Sequence, residues 1–529
     1  MKTPPPITSR TASPIAGNTA ALLAARVISV GVGLVTTPVL FAVLGGREFG
    51  VWALLLGLVS LAGLADLGFA SVQVREVAQA AATGDARRAR VAAALALLVF
   101  ASLSLLLVAA VWVGWGVAAH LFHLGALAAP ARDAAFLLVA AFAVDAAAAP
   151  WRAALEGSQR MRPVAVALAV STVVGGALGV VLVTSGAGLV GLAGSALAAS
   201  AVRAALLVGA AARVAAVRPS LRRVARADIR ALLGYGIRVQ ATNVATGLNV
   251  DTDRFVLGAF FSPATVASFD VGSRLVGAVR LAPWHFFTAL FPAATRLHAG
   301  GENAALDRLY LRATRYTAAF AGLTTAALVV SARPLVELWI GRPLPFAVTT
   351  IVVLAPAYAL ALTTGPAAAL TRAENAPGRE TRFSVLAAGV NTALTIPLLL
   401  VLGAVGVPVA SSVAWVVASV FFFRHFHRAS GRPLAPLCRA AWKPFVAAPL
   451  GAAAAWLVLG SAPVVSGRLS AATAAGSRAG LTLLIASVAL AALRFFDADD
   501  RKAFRRLLAR LRIVNAVSVP APGSSGAPW

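Results

Sequence analysis

Between Tyr235 and Arg280 the chain sets Asn243, Asn249, Asp251, Asp253, Arg254, Asp270, Arg274 and Arg280 inside stretches as apolar as FVLGAFF and LAPWHFFTALF. An ionisable group facing hydrocarbon costs at least about 2.5 to 3.5 kcal/mol at mid-helix. These side chains must face protein or water, and in a membrane protein such a cluster marks a cavity or a transport path. At 100° per residue, Asn243, Thr246, Asp253 and Arg254 share an arc of about 100° on one helix. Asp270 and Arg274 can pair at i,i+4 on the next helix, as can Asp251 and Arg254 at i,i+3. Arg280 has no acidic neighbour at those spacings, which makes it the first choice for a cation open to a cavity. The competing reading is that the charges close into pairs that fix helix register, because an unpaired buried charge is costly.

The first half of the chain adds three more groups. Arg26 lies about ten residues, or about 15 Å, into its helix, and Asp66 sits at similar depth on the next one, so the two can be partners across a helix interface. Asp145 has no mate at i±3 or i±4, and its nearness to Trp151 and Arg152 favours a snorkelling, interfacial place over a proton or cation site. His120 and His123 have no carboxylate nearer than Asp133 and read as interface residues. No phosphate-binding loop, dinucleotide fingerprint or catalytic constellation is present, and Cys438 is the single cysteine, which rules out a disulfide framework and a multi-cysteine metal site. The chain reads as a non-enzyme with no cofactor and no metal.

The elements that carry these residues must be membrane spans. Of the 529 residues, 60% are hydrophobic and 12% charged, against about 25% charged in typical soluble domains. Fourteen apolar stretches of spanning length fall between about residues 16 and 495, separated by breaks rich in Gly, Pro or charge such as Gly45-Gly46, Ser262-Pro263 and Gly403 to Gly406. Prolines inside them, Pro38, Pro283, Pro292, Pro356, Pro366, Pro397 and Pro408, would each kink a helix or free a carbonyl.

The net charge of +27 would suit a nucleic-acid partner, but its distribution argues otherwise. With the N-terminus inside, 34 of the 46 Lys and Arg fall on the cytoplasmic side. The opposite side keeps only Arg47, Arg132, Arg333, Arg342, Arg468 and Arg478, and Arg26, Arg203, Arg238, Arg254, Arg274 and Arg280 lie within spans. That bias is topology, so no nucleic acid is expected and both termini should be cytoplasmic.

The expected organisation is an all-α polytopic membrane protein of about fourteen transmembrane helices, with two six-helix lobes around a central cavity and two C-terminal helices. Its parts are a tail (1–15), a first lobe (16–212), an amphipathic linker (213–231), a second lobe (232–430), helices thirteen and fourteen (431–496), and a basic amphipathic helix with a disordered tail (497–529). The lobes echo each other weakly. Val43-Leu44-Gly45 and Val256-Leu257-Gly258 close the first and seventh spans at an offset of 213 residues. Transporters are commonly built from such repeats.

The unit from Ala24 to Ala78 resembles the first two helices of the Wzx-type polysaccharide-biosynthesis flippases of the multidrug/oligosaccharidyl-lipid/polysaccharide exporter superfamily. The matching residues are Leu44, Gly45, Glu48, Phe49, Gly50 and Trp52, then Ala65, Asp66, Leu67, Gly68, Arg75 and Glu76. Asp253-Arg254-Phe255-Val256-Leu257-Gly258 and Leu290-Phe291-Pro292 match again, and the likeness extends over about residues 16 to 430. The resemblance implies that an isoprenoid-diphosphate-linked oligosaccharide is turned from the inner to the outer leaflet of the bacterial cytoplasmic membrane by alternating access. It also implies a cationic cavity, since guanidinium groups bind phosphate bidentately. The candidates are Arg26, Arg254, Arg274 and Arg280, of which only Arg254 stands on a motif position. Asp66, Asp145, Asn243, Asn249, Asp251, Asp253 and Asp270 are the polar cavity or coupling candidates. Partners would be membrane lipids and the polysaccharide polymerase and chain-length machinery. A peptidoglycan-precursor flippase and a cation-coupled multidrug antiporter are the alternatives within the superfamily; a membrane-embedded glycosyltransferase would need large loops and an acidic pair that the sequence lacks.

Overall fold

Inside a bilayer a backbone can satisfy its own N–H and C=O groups only in helices or a closed barrel, and every regular element among the described residues is helical. The computed structural model describes residues 9–63, 68–212, 232, 252–376, 378–460, 467–497 and 500. The first half holds α1 (Ser9–Gly63), α2 (Phe69–Thr83), α3 (Arg87–Leu121), α4 (Ala128–Gly157), α5 (Met161–Thr184) and α6 (Gly188–Ala211). After α7, described over 252–260, come α8 (Pro263–Val279), α9 (Leu281–Ala299), α10 (Asn303–Val330), α11 (Ala332–Ile340), α12 (Pro345–Leu362) and α13 (Gly365–Ala373). The chain closes with α14 (Gly378–Leu402), α15 (Gly406–Ser430), α16 (Leu434–Leu459) and α17 (Arg468–Ala492). Nine described stretches are long and apolar enough to cross a membrane, among them Ala20–Leu61, Pro345–Ala373 and Gly378–Ser430, which are broken within; α10 and α11 together make a tenth. The protein is a multi-pass membrane protein.

The breaks fall where glycine and proline put them, with two departures. α1 breaks at Gly45, whose φ of 74° is open to a residue without a Cβ. The expected eighth span is two helices meeting at Arg280, and the expected tenth is two helices meeting at Thr363-Thr364, with Pro366 in the first turn of the second. The segment after the ninth span, which the sequence suggests is a loop because of Gly341 and Pro343, is instead a short helix, α11, bent by 70° from α10. The expected amphipathic linker at 213–231 and the basic segment after Arg501 lie outside the described residues.

Helices α1 to α6 pack on one another, as do α8 to α17, and the two groups meet where α1 lies against α8 and α11. This seam is an apolar core of Leu40, Phe41, Phe49, Val266, Val336 and Ile340, among others. It lies at the end of the bundle opposite the basic loops. There the backbones nearly touch: a Cβ on Gly50 would stand 1.7 Å from the Pro263 carbonyl oxygen. At the basic end the second lobe is stapled by charge: Arg432 reaches Asp307 and Glu374 at 2.7 Å each, and Arg315 reaches Asp497 at 2.9 Å.

Candidate functional site

Ser262 caps α8, its hydroxyl accepting from the Thr265 N–H at 3.3 Å, and Pro263 supplies the fixed φ of the first turn. That cap sets the depth of everything on α8. At 1.5 Å per residue, Asp270 lies about 10 Å, Arg274 about 16 Å and Arg280, at the junction with α9, about 25 Å in from the capped end.

Asp270 is buried and takes two guanidinium groups. Arg274 Nε donates to Oδ2 at 2.5 Å, as the i,i+4 spacing implies. Arg254, on α7, donates to Oδ1 from Nη2 at 2.9 Å and from Nε at 3.1 Å. Two guanidiniums thus share one carboxylate in this cluster. It is open to the other lobe on the Arg274 side: Nη1 donates to the Thr37 hydroxyl of α1 at 3.4 Å, and the guanidinium lies 5.8 Å from the Phe49 ring centroid. A groove of about 280 Å³ runs here between the lobes, lined by Ser29, Val30, Gly33, Thr37, Arg274 and Trp339. Arg26, Val30, Gly33 and Thr37 share an arc of about 60° on α1, so Arg26 continues this wall toward the basic end. It is exposed and has no hydrogen-bond or ion-pair partner among the described residues. Its expected mate Asp66 lies outside them, as do Asn243, Asn249 and Asp251.

Arg280 is held by rings. Its guanidinium lies 5.0 Å from the centroid of Tyr358 on α12 and 5.8 Å from that of Trp415 on α15, and no carboxylate among the described residues pairs with it. Cation–π contact steadies a guanidinium while leaving its N–H donors for an anion.

Asp253 adjoins Arg254 in sequence and reaches into the second lobe. It is 4% exposed and accepts from the Ser411 hydroxyl at 2.5 Å and from Asn391 Nδ2 at 3.4 Å. Thr395 Oγ1 lies 3.2 Å from Asn391 Oδ1. Asn391, Thr395 and Ser411 carry no charge and stand far along the chain, so the sequence alone signals them only as polar residues in apolar spans. Asp145 departs from its expected interfacial place. Arg203 of α6 reaches it through Nε at 2.8 Å and through Nη2, and the Ser200 hydroxyl donates at 2.9 Å. The partner comes from a neighbouring helix, which i±3 and i±4 spacing cannot reveal. Among the described residues no cluster of three or more His, Cys, Asp or Glu could hold a metal ion.

The fold is that of known transporters. It is similar to the lipid II flippase MurJ in its inward closed conformation, with a TM-score of 0.69 at 12% identity over 89% of this chain and 99% of that one. It is similar as well to a multidrug resistance MATE family transporter in its inward-facing conformation, with a TM-score of 0.63 at 15% identity over 75% and 93%. A Vibrio cholerae MATE transporter in its bent form follows at 0.53 and 16%, over 80% and 97%. No curated protein matches the sequence. Residues 15–298, which hold most of α1, α2 to α8 and all four cationic candidates, match the family described as polysaccharide biosynthesis protein. The chain belongs to that polysaccharide biosynthesis protein family.

Proposed function

We propose that the protein is a flippase for an isoprenoid-diphosphate-linked oligosaccharide, moved from the leaflet at the basic end to the opposite leaflet of the bacterial cytoplasmic membrane. The observation that carries this reading is the run of guanidiniums along the α1/α8 seam. Arg26 and Arg280 stand at similar depth, and Arg274 with Arg254 stand two to three turns farther on, the latter two sharing Asp270. A diphosphate carries the complementary charge, and each guanidinium offers a bidentate fork for it. A multidrug antiporter for cations would need the opposite sign here. Export of surface polysaccharide in cells, with variants matched for membrane level, tests the reading: Arg274→Ala and Arg280→Ala should each lower export at least about tenfold, the equivalent of about 1.4 kcal/mol. Unchanged export by both sinks it.

The lobes meet at the end opposite the basic loops, so the site opens toward the basic side, and alternating access requires that seam to part. Asp253, whose carboxylate accepts from Ser411 and Asn391, is the group we assign to coupling, since a buried carboxylate at this depth can take up a proton or a hard cation. In vesicles, Asp253→Asn should abolish the dependence of transport on an ion gradient. The polysaccharide polymerase and chain-length machinery would act on the product. A peptidoglycan precursor carries the same diphosphate, and its transport by the purified protein decides between the two cargoes.

A further inference from the structure

Arginines are depleted from loops on the side opposite the basic end, because charge on that side opposes the bias that orients the chain. Six stand there, and three of them, Arg333, Arg468 and Arg478, gather at one corner on the outer side of α11, whereas Arg342 turns to the Phe41 carbonyl of α1. Arg333 and Arg478 line one groove of about 470 Å³, whose other walls include Val330, Val348, Ala453 and Trp456. Past Arg333 the surface continues as a second groove of about 360 Å³ toward Leu344 and Pro345. Arg468 Nη2 would lie 3.4 Å from a Cβ on Gly341, the residue beside Arg342. The carboxylate found among them is Glu337, 3.0 Å from Arg333. The corner thus holds a local excess of positive charge beside a wall of exposed apolar residues, Trp456 at 57%, Leu457 at 74% and Val458 at 69%.

We infer that this corner binds the phosphodiester headgroup of an anionic glycerophospholipid, with the acyl chains along Trp456 to Val458. Guanidiniums gathered against the topological bias attract an anion, and phosphate suits their forked donors. A tryptophan at the lip fits an interfacial depth. The volume of the groove is that of a small-molecule site, about 300 to 1,000 Å³. The occupant is a resident lipid rather than cargo because the groove lies on the flank of α11 away from the lobe seam. One flank of α11 reaches α1, where Trp339 Nε1 donates to the Leu34 carbonyl at 2.8 Å; the other carries Arg333 and the groove. The inference is independent of what the seam transports.

Native mass spectrometry of the purified full-length chain, stripped of lipid and titrated with phosphatidylglycerol or phosphatidylcholine, tests it. The wild type should retain phosphatidylglycerol at least tenfold more strongly than phosphatidylcholine. Arg333→Gln combined with Arg468→Gln should lower that retention at least fivefold, Arg333→Lys should lower it less, and Arg132→Gln, on another loop of the same side, should leave it unchanged. Equal retention of the two lipids, or equal retention by wild type and both Arg333 variants, overturns the inference. So does displacement of phosphatidylglycerol by an isoprenyl diphosphate at equimolar amounts, which would make the corner a cargo site.

Discussion

Arg280 and Asp270 show two ways in which this chain keeps charge at bilayer depth. Arg280 sits on the rings of Tyr358 and Trp415, so Arg280→Lys should retain part of transport and Arg280→Ala little, because lysine keeps the charge but not the planar fork. Surface polysaccharide measured per unit of membrane-inserted protein checks this. Asp270→Asn acts differently. It leaves Arg254 and Arg274 without their shared carboxylate, and breaking a buried pair costs on the order of 3 kcal/mol. Thermal unfolding in detergent should show a marked loss of stability in Asp270→Asn and much less in Arg274→Ala. The Asp270–Arg274 pair was legible from i,i+4 spacing. Asp251, the mate that spacing gave Arg254, lies outside the described residues; the partner described for Arg254 is Asp270 across a helix interface, and Arg203 reaches Asp145 in the same way. Sequence distance carries no trace of such contacts until the helices are packed.

At the scale of elements, α11 is a latch on α1. Pro38 has no N–H, so the Leu34 carbonyl lacks its i+4 donor, and the Trp339 indole supplies one at 2.8 Å. Arg342 adds a bond to the Phe41 carbonyl at 3.1 Å, in the last turn before Gly45, and lies 4.5 Å from the Phe41 ring centroid. Trp339→Phe removes about 1 kcal/mol from the closed seam, enough to raise its open population about fivefold. Reactivity of Leu44→Cys in a Cys438→Ala background, with a membrane-impermeant thiol reagent, reads that population. In a Pro38→Ala background the carbonyl regains a helical partner, so Trp339→Phe should then change reactivity little; a full effect there would refute the latch. Gly50→Ala is the stronger form of the same test. Its Cβ meets the Pro263 backbone oxygen, which cannot rotate away, so the seam should not close and transport should be lost. Glycine and proline marked most breaks in advance, but α11 was missed, because nine residues between Ser331 and Gly341 are too short for a hydrophobic-length signal.

For the whole molecule, length and hydropathy were enough to give an all-helical, multi-pass chain, since a bilayer leaves few other ways to satisfy the backbone. The lobe boundary was less visible: the 213-residue echo is a few residues long. Which intramembrane charges face the seam was not legible, because helical arcs give a face but not its neighbour. With the basic loops cytoplasmic, reporters fused to either terminus should both report the cytoplasm. The central claim concerns the seam, and reconstituted vesicles test it most directly. A fluorescent isoprenyl-diphosphate glycan is incorporated in both leaflets, and its exchange is followed by quenching from outside. The account predicts exchange with wild type and with Arg132→Ala, and at least about tenfold slower exchange with Arg274→Ala combined with Arg280→Ala. Equal rates for wild type and the double variant, both well folded, would contradict it.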